Sequence, residues 1–204
     1  MNGILALNCT SLSTGKARTV EMLSINHSMN IFVTDPDPIV SARELCDRHV
    51  RSKMQIESAI MLAHCFSQES LNEAPRTKTG KVRKSGKGYF KHQCSVWVRE
   101  SRANYDWLVS HALEMFNERR FRWPGADNHF TENFILWCQE NRSRTIVPEG
   151  DLTPFAIAIE ADSVCRKVIK DFDNLVATEQ YRCYIKHDKT FATWTTRERP
   201  SWYE

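Results

Sequence analysis

The sequence has no apolar run approaching the roughly 18 residues that a membrane-spanning helix requires. It has no secretory leader, because the Gly3–Leu7 apolar run is too short and no Lys or Arg precedes it. A disulfide framework is also missing. The seven cysteines, at positions 9, 46, 65, 94, 138, 165 and 183, are odd in number and scattered in spacing. There is no large excess of charge: the net value of +3 is a weak argument for a polyanionic partner, and the distribution of charge says more than its sum. No internal repeat is visible. These absences exclude membrane and disulfide-rich secreted classes. They point to a reducing cytosol, in a bacterium or a phage-infected host cell.

The chain does contain enough for a core. Its 204 residues suit one domain, or one domain with a small appendage, and a hydrophobic content of 41% is enough for a core. Ten Phe, six Trp and five Tyr make that core aromatic. The expected fold is mainly α: a compact single-domain helical bundle over residues 29–204, preceded by an extension over 1–28. A short strand is expected at Met29–Val33. Asp35-Pro36-Asp37-Pro38 then makes a rigid stop and a helix N-cap. Residues 67–91 read as a glycine-punctuated loop. Trp123-Pro124-Gly125 ends a helix, Thr131 caps another over ENFILWCQEN, and Val147-Pro148-Glu149-Gly150 is a turn. A last long helix follows Asp162-Ser163, with Val164, Val168, Phe172, Leu175 and Val176 as its buried stripe. The tail WTTRERPSWYE is irregular and aromatic.

Two segments carry ionisable residues inside apolar stripes. Glu44 to Phe66 contains no Gly or Pro and reads as one helix. At about 100° per residue, Cys46, His49, Lys53, Glu57 and His64 fall on one line, flanked by Leu45, Val50, Met54, Ile56, Ile60 and Met61. Arg48, Arg51, Ser52 and Gln55 lie on the opposite, solvated face. Ser95 to Arg122 reads as a second helix. Glu100, Asn104 and His111 sit in its seam of Trp97, Ser101, Leu108, Ala112 and Met115, with Trp107 beside them. Arg99, Arg102 and Asp106 lie outside. Burying such groups is costly unless they pair, bind a metal or face a pocket. Two such seams facing each other share one polar pocket. The alternative is a buried hydrogen-bond network that only fixes the fold.

The stretch from Arg76 to Lys91 holds seven of the 28 basic residues and no acid. Arg76, Lys78, Lys81, Arg83, Lys84, Lys87 and Lys91 are candidates for nucleic-acid contacts. The glycines allow close approach to a polyanion, and Tyr89 and Phe90 offer faces for base stacking. The alternative is a solvated flexible loop. Cys46-x2-His49 and His92-x-Cys94 together offer a Cys2His2 set for zinc, although their spacing is not that of a finger. Free cysteines as small buried hydrophobes are the simpler account, and no metal or cofactor is expected.

Lys53 and Glu57 are one helical turn apart. At a surface they make an ordinary, weak ion pair. On a buried face the pair changes meaning. A desolvated lysine becomes a nucleophile able to form an imine, and a partly buried glutamate serves as general acid or base. That is the minimum equipment of a bifunctional glycosylase, which attacks the anomeric carbon of deoxyribose and then cleaves the strand.

The series IFVTDPDP, CDRHVRSKMQIES, HQCSVWVRESRANYDWL, LTPFAIAI and WTTRERPSWYE, spread over about residues 29–204, resembles the pyrimidine dimer DNA glycosylases (endonuclease V type) of phages and bacteria. The resemblance implies a compact, mostly helical, metal-free repair enzyme that flips a nucleotide out of the duplex. It implies an α-amino nucleophile at the mature N-terminus, a glutamate on the first long helix and basic residues that hold phosphates. Glu57 matches the glutamate, and Arg51 and Lys53 match the basic partners. Family chains begin at the position of Met29-Asn30, whereas 28 residues precede it here. With that extension in place, Lys53 is the available nucleophile.

The expected function is therefore a monomeric DNA glycosylase or lyase acting on a damaged or modified pyrimidine. Its candidate catalytic residues are Glu57, Lys53, His49 and Glu100. Asn104, Arg51, Trp97, Arg99 and His111 are candidates for substrate contact. The rival enzyme acts on a free pyrimidine nucleoside or nucleotide, as in viral DNA base modification. The non-enzyme rival is a nucleic-acid-binding module whose polar seam is structural.

Overall fold

A computed structural model describes residues 29–204, so the extension over 1–28 lies outside the described residues. The fold is mainly helical. Its helices are α1 (Pro38–Glu44), α2 (Met54–Ala63), α3 (Gln68–Glu73), α4 (Gln93–Glu100), α5 (Arg102–Arg122), α6 (Glu132–Glu140), α7 (Val164–Val168) and α8 (Ala177–Asp188). A π-helical turn, His49–Lys53, leads directly into α2. No helix among the described residues is long and apolar enough to cross a membrane.

The central element is α5, whose 21 residues span about 30 Å at 1.5 Å per residue. It packs against α1, α2, α4 and α6. Residues all around it are therefore buried, from Tyr105, Leu108 and Ala112 to Glu114, Glu118 and Arg122. One apolar cluster joins Tyr105, Leu108 and Ala112 to Leu45, Val50, Met54, Leu62, Trp97, Phe134 and Tyr181. Burial of such side chains, at roughly 1.5–3 kcal/mol each, is what orders the short helices, which would not persist alone.

Both long helices expected from sequence are broken. Asp37 caps α1 by accepting from Ile39 N–H at 2.7 Å and Val40 N–H at 3.1 Å, and Pro38 stands in its first turn. The helix then stops at Leu45, whose ψ is 143°. Arg122 meets that end: its buried guanidinium donates to the Leu45 and Arg43 carbonyls, both at 2.8 Å. Glu118 at 3.1 Å and Asp47 at 3.2 Å balance its charge. The second break is at Ser101, which is fully extended (φ −150°, ψ 158°) and caps α5 by accepting from Asn104 N–H at 3.2 Å. The phase of one seam therefore does not carry across either break.

Other expectations are also corrected. Residues 67–91 include α3, capped by Ser67. Met29–Val33 is buried irregular backbone, with Phe32 at φ 57°. The last long helix is instead α7, a 3-10 turn over Phe172–Asn174 and α8, with Asp171 in the left-handed conformation (φ 55°) between the first two. Cys165 and Phe172 are buried, but Val164, Val168 and Val176 are exposed, since a stripe cannot continue through that turn. The tail packs back on the first helices: Trp194 Nε1 donates to Glu44 O at 2.9 Å.

Candidate functional site

The solvent-facing side of α2 and the π-turn carries three adjoining depressions. The central one, about 380 Å³, is lined by Met29, Ser52, Lys53, Ile56, Glu57, Ile60 and Tyr89. On one side it shares Ile60 and Tyr89 with a pocket of about 340 Å³ beneath the basic loop, which also includes His64, Lys81, Arg83, Lys84 and Lys87. On the other side it shares Ser52 and Lys53 with a pocket of about 440 Å³. Asp47, Arg48, Arg51, Trp123, Thr193 and Thr195 complete that third pocket.

Glu57 is the buried acid of this groove. Its Oε2 accepts the backbone N–H of Asn30 at 2.8 Å, and Lys53 Nζ lies 3.3 Å from its Oε1. Asn30 is itself fixed from behind. Its Nδ2 donates to Ala158 O at 2.8 Å, and its Oδ1 accepts from Ile31 N–H at 2.9 Å. The Tyr181 hydroxyl holds the 156–158 strip through the Ala156 carbonyl and the Ala158 amide. A main-chain nitrogen is thereby held against a carboxylate at the floor of the groove. Lys53 differs from the desolvated lysine expected, because its side chain is 42% exposed.

The π-turn explains which residues face the groove. A π-turn takes one more residue per turn than α-helix, so the 100° phase read through Glu44–Phe66 is offset across it. Ser52, Lys53, Ile56, Glu57 and Ile60 become the pocket row. Ser52, Arg48 and Arg51 thus line pockets despite their expected place on the outer face. His49 turns inward instead, buried and stacked on Phe32 at 4.2 Å with Phe191 at its edge. Burial, followed by the charges of Lys53, Lys189 and Arg48, lowers its pKa to about 3, so it is a neutral core side chain.

The second seam does not meet the first in one pocket. Asn104 Nδ2 donates to Trp97 O and Thr153 Oγ1, both at 2.7 Å, while its Oδ1 accepts from Thr153 N–H at 2.9 Å. Glu100 is exposed and accepts from Thr153 Oγ1 at 3.0 Å. Trp97 Nε1 donates to Thr153 O at 3.4 Å. These residues tie down the 153 segment and line none of the three pockets. His111 is buried against Trp107 at 4.8 Å. Arg99 lies over the Phe90 ring at 3.6 Å and donates to the Phe90 carbonyl at 2.6 Å, which anchors the end of the basic loop to α4.

The loop residues divide. Lys81, Lys84, Lys87 and Tyr89 are exposed at the loop pocket, and Arg76, Lys78 and Lys91 are exposed away from it. Arg83 is buried over the Phe134 ring at 4.1 Å. Burial lowers its pKa, and its first role is packing. Among the described residues no group of three or more His, Cys, Asp or Glu is placed to hold a metal ion, so Cys46, His49, His92 and Cys94 do not assemble as one set. The six described cysteines are unpaired.

Sequence reading missed Met29, Asn30 and Ser52. The resemblance marked the Met29-Asn30 position, but nothing in the periodicity signals that Asn30 N–H reaches Glu57. Among known proteins, no family model, no curated protein and no solved structure matches the chain.

Proposed function

We propose that this protein is a DNA-acting enzyme of the glycosylase and abasic-site lyase type that excises a damaged or modified pyrimidine. The reading is supported chiefly by the buried Glu57 carboxylate, with Lys53 Nζ at 3.3 Å on one oxygen and a main-chain nitrogen at 2.8 Å on the other. An amine beside a carboxylate suits attack on the anomeric carbon. The amine gives a proton to Glu57 as its C–N bond forms at C1′, the bond from C1′ to the base breaks, and the base leaves with that proton from Glu57, which returns to the carboxylate. The ring-opened imine that follows is an electron sink. Removal of a C2′ proton by Glu57 then breaks the C3′–O bond. The lysines at the rim of the adjoining loop pocket provide a sequence-independent hold on the backbone.

The position of Asn30 favours a second assignment of the amine. In a chain processed to begin at residue 30, the α-amino group would occupy the place of the Asn30 N–H, against Glu57. This is the arrangement of the family that the sequence resembles. Borohydride trapping on duplex DNA with an abasic site tests the reading and separates the two amines. Lys53→Ala should abolish a lysine-borne adduct. An adduct that persists in Lys53→Ala, forms in the chain beginning at residue 30 and is lost when that terminus is blocked identifies the α-amine. No adduct in either chain would overturn the imine mechanism.

A further inference from the structure

We propose that Ser52 is a fixed hydrogen-bond donor for a phosphoryl oxygen of the substrate, oriented by His129, at the junction of the central pocket and the Arg48–Arg51 pocket. The inference deepens the function proposed above and rests on reading the groove as a nucleotide-handling site.

The direction of the hydrogen bonds carries the argument. His129 is buried, between Ser52 and Thr131. Its Nδ1 faces the backbone N–H of Thr131 at 3.3 Å and the Thr131 hydroxyl at 2.7 Å. A backbone N–H can only donate, so Nδ1 carries the lone pair. The proton of the neutral ring is then on Nε2, which lies 3.0 Å from Ser52 Oγ. Burial, followed by the charges of Arg119 and Lys78, lowers the His129 pKa to about 4, so the neutral ring is the form present near pH 7. Ser52 Oγ therefore accepts from His129, and its own proton is turned toward the groove.

This arrangement has two chemical consequences. It excludes a serine nucleophile of the triad kind, in which the imidazole must take the hydroxyl proton. It also makes the serine a one-way donor, suited to an oxygen with no proton of its own. The surroundings fit a phosphoryl group. Ser52 lines both pockets, alongside Lys53, Arg48 and Arg51. Arg51 lies over the Trp123 ring at 5.2 Å. Asp47, the one acid among the described residues that line the Arg48–Arg51 pocket, is already committed. It accepts from Arg122 Nη1, from Thr193 Oγ1 at 3.0 Å, and from the Thr195 hydroxyl at 2.8 Å and amide. Burial alone would raise its pKa, but these donors outweigh that and lower it.

The phosphoryl group can belong to a DNA backbone or to a free nucleotide, and duplex DNA and thymidine monophosphate as separate probes distinguish these. Nitrogen-15 spectra of the full chain should show His129 protonated at Nε2 and bare at Nδ1; the opposite tautomer would overturn the proposal. Inorganic phosphate should shift the His129 Nε2 signal, and Ser52→Ala should abolish that response. With duplex DNA carrying an abasic site, Ser52→Ala should weaken binding roughly tenfold or more, as expected when a hydrogen bond to a charged group is removed. A comparable weakening with thymidine monophosphate but not thymidine, without duplex binding by the wild type, would keep the subsite and replace DNA by a nucleotide. Duplex binding equal in wild type and Ser52→Ala would sink the subsite and leave the glycosylase reading intact.

Discussion

The backbone N–H of Asn30 donates to the Glu57 carboxylate at 2.8 Å. That hydrogen bond joins a segment at the start of the described chain to the first residues of α2, 27 positions away. It aims one oxygen of Glu57 and leaves the other for Lys53. Glu57→Gln retains the shape but removes the capacity to carry a proton. A positioned general acid or base is typically worth about 10²–10⁴-fold in rate. Glu57→Gln should therefore lower turnover of a damaged or modified pyrimidine substrate by that order, with duplex affinity nearly unchanged. Single-turnover kinetics beside an anisotropy titration measure both. An equal drop in binding and turnover would show that the residue only holds the fold.

The exposed lysines of the loop should act through charge alone. Replacing Lys81, Lys84 and Lys87 with Ala should weaken duplex binding. It should also make the slope of log K against log salt shallower, by up to about 0.9 for each phosphate that is no longer neutralised. Arg83→Ala should behave differently, because its side chain is buried over Phe134. It should cost stability in urea denaturation and change the salt slope little.

Asn104 makes three side-chain hydrogen bonds that hold Thr153 and the Trp97 carbonyl. Asn104→Ala leaves buried partners unsatisfied, a cost of about 1–3 kcal/mol. A calorimetric Tm several degrees lower is expected, with duplex binding by the folded protein retained. Abolished binding at an unchanged Tm would return Asn104 to the substrate site.

Buried neutral histidines make the fold acid-sensitive. Burial lowers the pKa of His111 to about 3 from an ordinary value of 6.5, and His49 is lowered to about 3 as well. Below pH 6.5 the unfolded chain takes up these protons and the folded chain does not. Their stabilising contribution is thus complete above pH 6.5 and is lost progressively as pH falls toward 3. Each group sets a slope of about 1.4 kcal/mol per pH unit within that window. Neither ring nitrogen of His111 has a hydrogen-bond partner among the described residues. His111→Leu should therefore fold and flatten the pH dependence of urea denaturation between about pH 6.5 and 5. An unaltered slope would mean that His111 is already charged when folded.

The sequence by itself determined that the fold is mainly helical, that Asp37-Pro38 starts a helix, and that Lys53 and Glu57 share a helical face. Each follows from local rules: a proline fixes φ, an aspartate caps free amides, and residues four apart meet on one side of a helix. Thr131 does precede α6, but its hydroxyl meets His129 Nδ1 at 2.7 Å instead of capping the helix as expected. Tertiary structure decided where the helices break and which polar residues face a pocket. Leu45 leaves the helix where the buried Arg122, 77 residues away, takes its carbonyl, and no local propensity encodes that partner. The π-turn at His49–Lys53 offsets the helical phase, turning His49 into the core and Ser52 to the groove. Glu100 and Asn104 fall within one apolar seam in sequence, yet the extended Ser101 and the distant Thr153 make them supports for a loop. Periodicity reports which side of a helix is buried. Only the packing of distant segments determines whether that side meets a neighbour or a cavity.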